Sequence, residues 1–292
     1  MAEAEIDKVL NDIWKSSLPC GGFANRPGGQ YRPDATTWAV MALQSCGVER
    51  QRLHAARQCL AASQQEDGRV VLSADHPGSF WPTPLAVLAW QNSPEFGHHQ
   101  SRAAFFLLKT TGNHFKRPAN SPAGHDTSIQ GWPWTEETHS WVEPTALAMI
   151  ALRTTGNGGS QRVAEGAQLL MDRQLSKGGW NYGNTTVFDT ELAALPESTG
   201  LALAALPGLA DKQDVSRSIA LLKDSVKALT TPFSLGWAIL GLSAWGERPR
   251  DANTLIDRCL TRQERYGTYD TSLMGLTIVA RKAEGGLIHA FS

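Results

Sequence analysis

One pattern recurs along the 292-residue chain: a small hydroxylated residue, small residues three and six positions later, then an apolar residue. The clear copies are Thr36–Ala39–Ala42–Leu43, Thr83–Ala86–Ala89–Trp90, Thr145–Ala148–Ala151–Leu152 and Thr199–Ala202–Ala205–Leu206. A looser fifth copy has Leu235–Ala238–Gly241–Leu242 with Ser234 ahead of it, and the loosest has Ser272, Gly275 and Ile278. Successive anchors are 47, 62, 54, 36 and 37 residues apart. A period of three to four predicts helices rather than strands. Each segment is apolar nearly all round, so each helix must be buried. The small residues share one face and let neighbouring backbones approach closely. Hydroxyls, acids and prolines at the segment starts are N-terminal signals: a capping oxygen, anions at the positive dipole end and a first-turn proline.

More polar, amphipathic segments alternate with these: Leu53–Gln64, Arg102–Lys109, Val163–Gln174, Val215–Leu229 and Thr254–Gln263. Three end in glutamine followed by a glycine-containing turn, at Gln64–Gly68, Gln174–Gly178 and Gln263–Gly267. Glycine permits the sharp turn. The glutamine amide is expected to cap the next inner helix. Six outer–inner hairpins in fixed alternation predict an all-α fold, an α/α toroid using residues 1–292 as one domain, with a central cavity.

Composition narrows the function. A net charge of −1 without a basic stripe argues against nucleic-acid binding. The acidic, amphipathic start does not read as a signal peptide. The longest apolar run, Ser234–Trp245, is too short to span a bilayer. Four scattered cysteines fit a reduced, cytoplasmic protein rather than a disulfide framework or zinc knuckle. Ten tryptophans against four tyrosines suggest an aromatic-lined interior.

The segment QLLMDRQLSKGGW, Gln168 to Trp180, resembles the QW repeat of squalene–hopene and oxidosqualene cyclases, found in weaker form in protein prenyltransferase β-subunits. The resemblance implies a toroid that binds a linear isoprenoid and cyclises it by protonation, without a cofactor or catalytic metal. In that family a D-x-D-D-T motif precedes one inner helix, and its central aspartate donates the proton. Aligning its threonine with Thr36 puts Asp34 in the donor position, while Arg32 and Ala35 replace the other two acids. The same position, two before each anchor, is occupied by Asp34, Trp81, Glu143, Glu197, Phe233 and Asp270. These residues are expected to ring one mouth of the cavity. Glu143, Glu197, Asp270 and His139 are then candidates for tuning Asp34. A direct Arg32–Asp34 ion pair would oppose its role as an acid.

Trp38, Phe80, Trp81, Trp141, Tyr182, Phe233 and Trp237 are the candidate substrate-binding aromatics, since an aromatic face stabilises a carbocation. The Trp132–Trp141 stretch, with three tryptophans, is a candidate lid, and the polar 115–130 segment is expected to flank the mouth. Asp257-Arg258-Cys259 resembles prenyltransferase zinc ligands but falls inside an outer helix, so no metal is expected. His98-His99 is read as a solvated turn. The expected partner is an apolar small molecule, with peripheral membrane contact an option for its uptake. Three rival readings stay open: a non-catalytic isoprenoid- or lipid-binding toroid, a prenyltransferase-like enzyme and a carbohydrate-active enzyme.

Overall fold

The computed structural model describes residues 2–118, 121 and 124–290. Its first helices are α1 (Ala2–Lys15), α2 (Pro33–Ser45), α3 (His54–Ala62), α4 (Pro82–Ala89), α5 (Gly97–Lys109), α6 (Val142–Thr154) and α7 (Gln161–Asp172). A hairpin of β1 (Thr186–Val187) and β2 (Thr190–Glu191) follows. Then come α8 (Pro196–Ala205), α9 (Ser216–Ser225), α10 (Pro232–Ala244), α11 (Ala252–Thr261), the short α12 (Gln263–Tyr266) and α13 (Thr271–Lys282).

The six repeat copies are the inner helices α2, α4, α6, α8, α10 and α13. Each packs on the next, and α13 returns to α2, so the ring is closed. Every residue of α4 is buried, as its all-round apolarity requires. The amphipathic helices form the outer layer. Helix α1 packs on α2 and α13, α3 on α2, α5 on α4 and α6, α7 on α6, α9 on α8 and α10, and α11 on α10 and α13. This is the α/α toroid expected from the repeat. Prolines occupy the first position of α2, α4, α8 and α10, where a missing N–H costs nothing.

The anchoring threonines do something other than cap their own helices. Thr36, Thr83, Thr145 and Thr199 are fully buried. Their Oγ1 atoms accept from the backbone N–H of Phe23, Val70, Trp132 and Trp180 at 2.9–3.0 Å. Each hydroxyl thus ties the turn leaving an outer helix to the first turn of an inner one. A buried N–H needs such a partner, and the repeat supplies one each time.

Two of the glutamines depart from expectation and reach the next outer helix, whereas Gln263 Oε1 accepts from the Tyr269 N–H at 2.8 Å in the lead-in to the inner helix α13. Gln64 Nε2 donates to the carbonyl of His99 at 2.9 Å, and its Oε1 bonds His99 Nδ1 at 2.8 Å. Gln174 Nε2 donates to Ser218 Oγ on α9 at 2.8 Å. His98 and His99 therefore belong to the first turn of α5 rather than to a solvated turn. Glycine sets the closest backbone contacts. A Cβ on Gly200 would lie 2.2 Å from the Trp237 carbonyl oxygen, and one on Gly275 would lie 2.6 Å from that of Trp38. Those two contacts join α8 to α10 and α13 to α2.

Candidate functional site

The ten tryptophans divide by role. Trp90, Trp132 and Trp180 are fully buried between layers, and their indole N–H groups donate to the carbonyls of Arg57, Leu107 and Leu170 on outer helices. Trp38, Trp81, Trp134 and Trp237 instead line a central cavity of about 310 Å³. That volume falls at the lower end of the ~300–1,000 Å³ usual for small-molecule sites. Phe233 and the leucines Leu85, Leu147, Leu201, Leu273 and Leu276 complete an apolar wall. The polar side chains lining it are Asp34, Glu143 and Ser272.

Helical register puts these groups together. Asp34, Glu143 and Ser272 lie in the first turns of α2, α6 and α13, while Trp81 and Phe233 stand at the starts of α4 and α10. Trp38 and Trp237 come from helices separated by α13 in the ring, yet meet edge to face at 5.7 Å between centroids. Trp81 and Trp134 form a second such pair at 6.2 Å. Edge-to-face packing leaves a ring face of each pair available to a guest.

The two carboxylates differ sharply. Arg32 grips Asp34 at both oxygens, Nε to Oδ1 at 2.9 Å and Nη2 to Oδ2 at 3.1 Å. Glu143 has no cation partner among the described residues. It is 6% exposed and accepts one hydrogen bond, from Ser198 Oγ at 2.9 Å. Burial pushes its carboxyl above the usual carboxylate range, the neighbouring Glu197 adds to this, and the Ser198 bond pulls the other way.

The remaining candidates fall elsewhere. Glu197 accepts from Ser234 Oγ at 2.7 Å and does not line the cavity. Asp270 pairs with Arg26 at 2.7 Å on the surface. His139 faces the Asn113 carbonyl at 3.5 Å and packs on Phe115, with no acid of the ring as partner. Phe80 packs edge to face on Phe106 beneath Arg69. Tyr182 is half exposed. Trp141 and His139 line a different cavity. The ring of acids is thus two acids and two aromatics around the cavity, with Glu197 and Asp270 turned aside.

Trp134 was not among the individual aromatic candidates. It sits in a loop outside the repeat register, and the one signal for it was the tryptophan-rich 132–141 stretch. Asp257 pairs with Arg281 at 2.5 Å, and Cys259 is buried against the Thr230 carbonyl. Among the described residues no three His, Cys, Asp or Glu side chains are grouped to hold a metal ion.

No protein-family model matches the chain, and no curated protein matches it. Its class is given by solved structures, which share the α/α toroid. A variant of the type II terpene cyclase MstE from Scytonema, in complex with geranylgeranyl dihydroxybenzoate, is 13% identical with a TM-score of 0.63, covering 99% of this chain and 97% of that one. An alpha-amylase from Clostridium perfringens is 10% identical with a TM-score of 0.64, covering 97% of each chain. Salmonella alpha-2-macroglobulin is 14% identical with a TM-score of 0.52, covering 95% of this chain but 17% of that one. At these identities the likeness is one of fold.

Proposed function

We propose that this protein binds a linear isoprenoid in the central cavity and cyclises it by protonation, with Glu143 as the acid. One observation carries the reading: a buried carboxyl, without a cation partner among the described residues and raised in pKa by burial, lines an aromatic cavity. A carboxyl shifted in this direction holds its proton to higher pH than a free one and can act as a general acid. Asp34, the donor implied by the cyclase resemblance, has both oxygens occupied by Arg32. Its place in the reading is that of a fixed acceptor at the cavity mouth.

In the reaction, the Glu143 O–H proton passes to an alkene carbon, whose π electrons form the new C–H bond. The positive charge appears on the more substituted carbon, and a second alkene attacks it to form a C–C bond. The final cation loses a proton to solvent, and Glu143 regains one from solvent, so the cycle balances. Each indole face near the charge contributes about 0.5–2 kcal/mol. Leucine walls exclude water that would trap the cation early. The MstE complex supports the substrate class, since that toroid holds a geranylgeranyl compound.

Substrate uptake fits contact with a lipid surface. Exposed Phe115, Tyr182, Phe188, Leu192, Phe233 and Tyr266 all lie in or just before the segments that start inner helices, where the cavity opens. Phe188 stands at the tip of the β1–β2 hairpin, 79% exposed. Among the described residues no helix is long and apolar enough to cross a membrane.

The test is incubation with squalene-, farnesol- and geranylgeraniol-type chains, with and without diphosphate, alongside maltooligosaccharides, followed by mass spectrometry. Cyclised isomers lost in Glu143→Gln support the reading. Glycan hydrolysis, or consumption only of diphosphates with added metal, overturns it. Tight binding without any product returns the protein to an isoprenoid-binding role.

A further inference from the structure

A second cavity, of about 170 Å³, shares no lining residue with the central one. It is walled by residues 113–115, by His125, Thr127 and Ile129, by the lead-in to α6, by Arg173 just past α7, and by Gly183–Asn184. Three imidazoles, His114, His125 and His139, line it together with the Arg173 guanidinium, and no carboxylate is among its lining residues. Asn113, Ser140 and Asn184 add neutral polar groups, while Phe115, Ile129 and Trp141 make one side apolar.

The acids nearby are already committed. Asp172 pairs with Arg173, Glu165 with Arg162 at 2.5 Å, and Asp126 Oδ1 accepts from the Ser128 N–H and hydroxyl at 2.9 and 2.7 Å. His125 is 8% exposed, and its Nδ1 is buried with no hydrogen-bond partner among the described residues. A buried polar atom left open in this way marks an incomplete network. Burial, then the fields of Arg173 and Arg117, push the His125 imidazole down to about 4, with Asp126 opposing them and His139 adding to them. Burial and Arg162 likewise lower His114, with Arg173 adding to this and the Ile129 backbone and Glu165 opposing.

We infer that this pocket binds a small oxyanion, either free or as the carboxylate or phosphate end of a short apolar molecule. The site offers hydrogen-bonding side chains and the edge of a buried guanidinium, whose Nη1 pairs with Asp172 and whose Nη2 donates to the Asp126 carbonyl at 3.0 Å, with no carboxylate among the lining residues to repel the guest. Burial and the surrounding cations disfavour the charged forms of His114 and His125. An anion arriving there reverses that field, so an imidazole takes up a proton from solvent and donates to the guest. Binding is therefore coupled to proton uptake. The same three imidazoles are not grouped as a metal site.

The experiment is calorimetric titration of the full chain with inorganic phosphate, phenyl phosphate, acetate and benzoate at pH 6 and pH 8. Buffers of different ionisation enthalpy report the protons taken up. We expect saturable one-to-one binding, several-fold tighter at pH 6 for benzoate, whose own charge is constant over that range. Phenyl phosphate and benzoate binding more tightly than phosphate and acetate identifies an organic guest; equal affinities identify a free ion. Loss of one charge-assisted hydrogen bond in His139→Gln or His114→Gln weakens binding about tenfold. His139 is exposed, so its variant keeps the test valid if Arg173→Gln fails to fold. No saturation in the millimolar range overturns the inference. So does binding that neither histidine variant alters, or that is equal at both pH values with no proton uptake.

Discussion

Ser198 donates to Glu143 across the contact between α8 and α6, and this hydroxyl restrains the upward pull of burial on the carboxyl. A general acid works while protonated, so turnover falls as pH rises through the titration of Glu143. Ser198→Ala removes the restraint and moves that fall to higher pH. A hydrogen bond to a charged group is worth about 1.5–3 kcal/mol, so the move is about one pH unit or more. Glu143→Gln keeps size and loses the proton; turnover drops at least ~10²-fold while isoprenoid binding survives. A pH–rate profile for both variants checks this. An unmoved profile in Ser198→Ala places the acid elsewhere.

The same shift has a consequence for stability. The folded-state pKa of Glu143 lies above its unfolded value, so its contribution is fully present below the usual carboxylate range. It is lost as pH rises through the folded value. Glu143→Gln should flatten that part of the stability–pH curve, as measured by urea melts from pH 4 to 8.

Asp34→Asn leaves Arg32 without its bidentate partner beside a cavity that is to hold a cation. Turnover should fall about tenfold from like-charge destabilisation, roughly 1.4 kcal/mol. That is a smaller loss than in Glu143→Gln. A loss equal to or larger than that of Glu143→Gln returns the donor role to Asp34. Single-turnover kinetics on the two variants decide the order.

Gly200→Ala sets a methyl group 2.2 Å from a backbone carbonyl that cannot step aside. Overpacking of this kind costs about 1–3 kcal/mol, or just under ~2 °C in Tm for each kcal/mol in a chain of this length. Gly159→Ala meets nothing within 4 Å and should melt within ~0.5 kcal/mol of the parent. Thermal melts followed by circular dichroism compare the two.

Phe188→Ser and Tyr182→Ser should each reduce co-sedimentation with phospholipid vesicles. Phe105, equally bare but on the outer helix α5, serves as the control. Equal loss in Phe105→Ser means that general stickiness, not the cavity face, drives the adsorption.

How far the sequence reached is visible in single residues. Helix period and small-residue spacing are local properties, so the inner ring and the close approach at Gly275 were readable from one copy to the next. The position two before each anchor lies on the cavity wall for Asp34, Trp81, Glu143 and Phe233. It failed for Glu197 and Asp270 because a first-turn side chain can swing sideways when a neighbouring hydroxyl or guanidinium offers a bond, here Ser234 and Arg26. Trp134 and the histidine pocket are built by loops, whose paths obey no period. Thr36 and Gln64 were recognised as signals, but their partners lie 13 and 35 residues away, and pairing at that range is a tertiary fact.

Closure of the ring depends on α13 meeting α2 along a contact between residues more than 200 positions apart. The entropy cost of such a long loop grows only logarithmically, so the contact is tolerated thermodynamically. Without the seat of Gly275 against the Trp38 carbonyl, the ring would be open between α13 and α2 and its tryptophan wall would face water. The cavity therefore exists only while that seam is closed, and a chain in which it opened would present its ligand-binding surface as an adhesive edge.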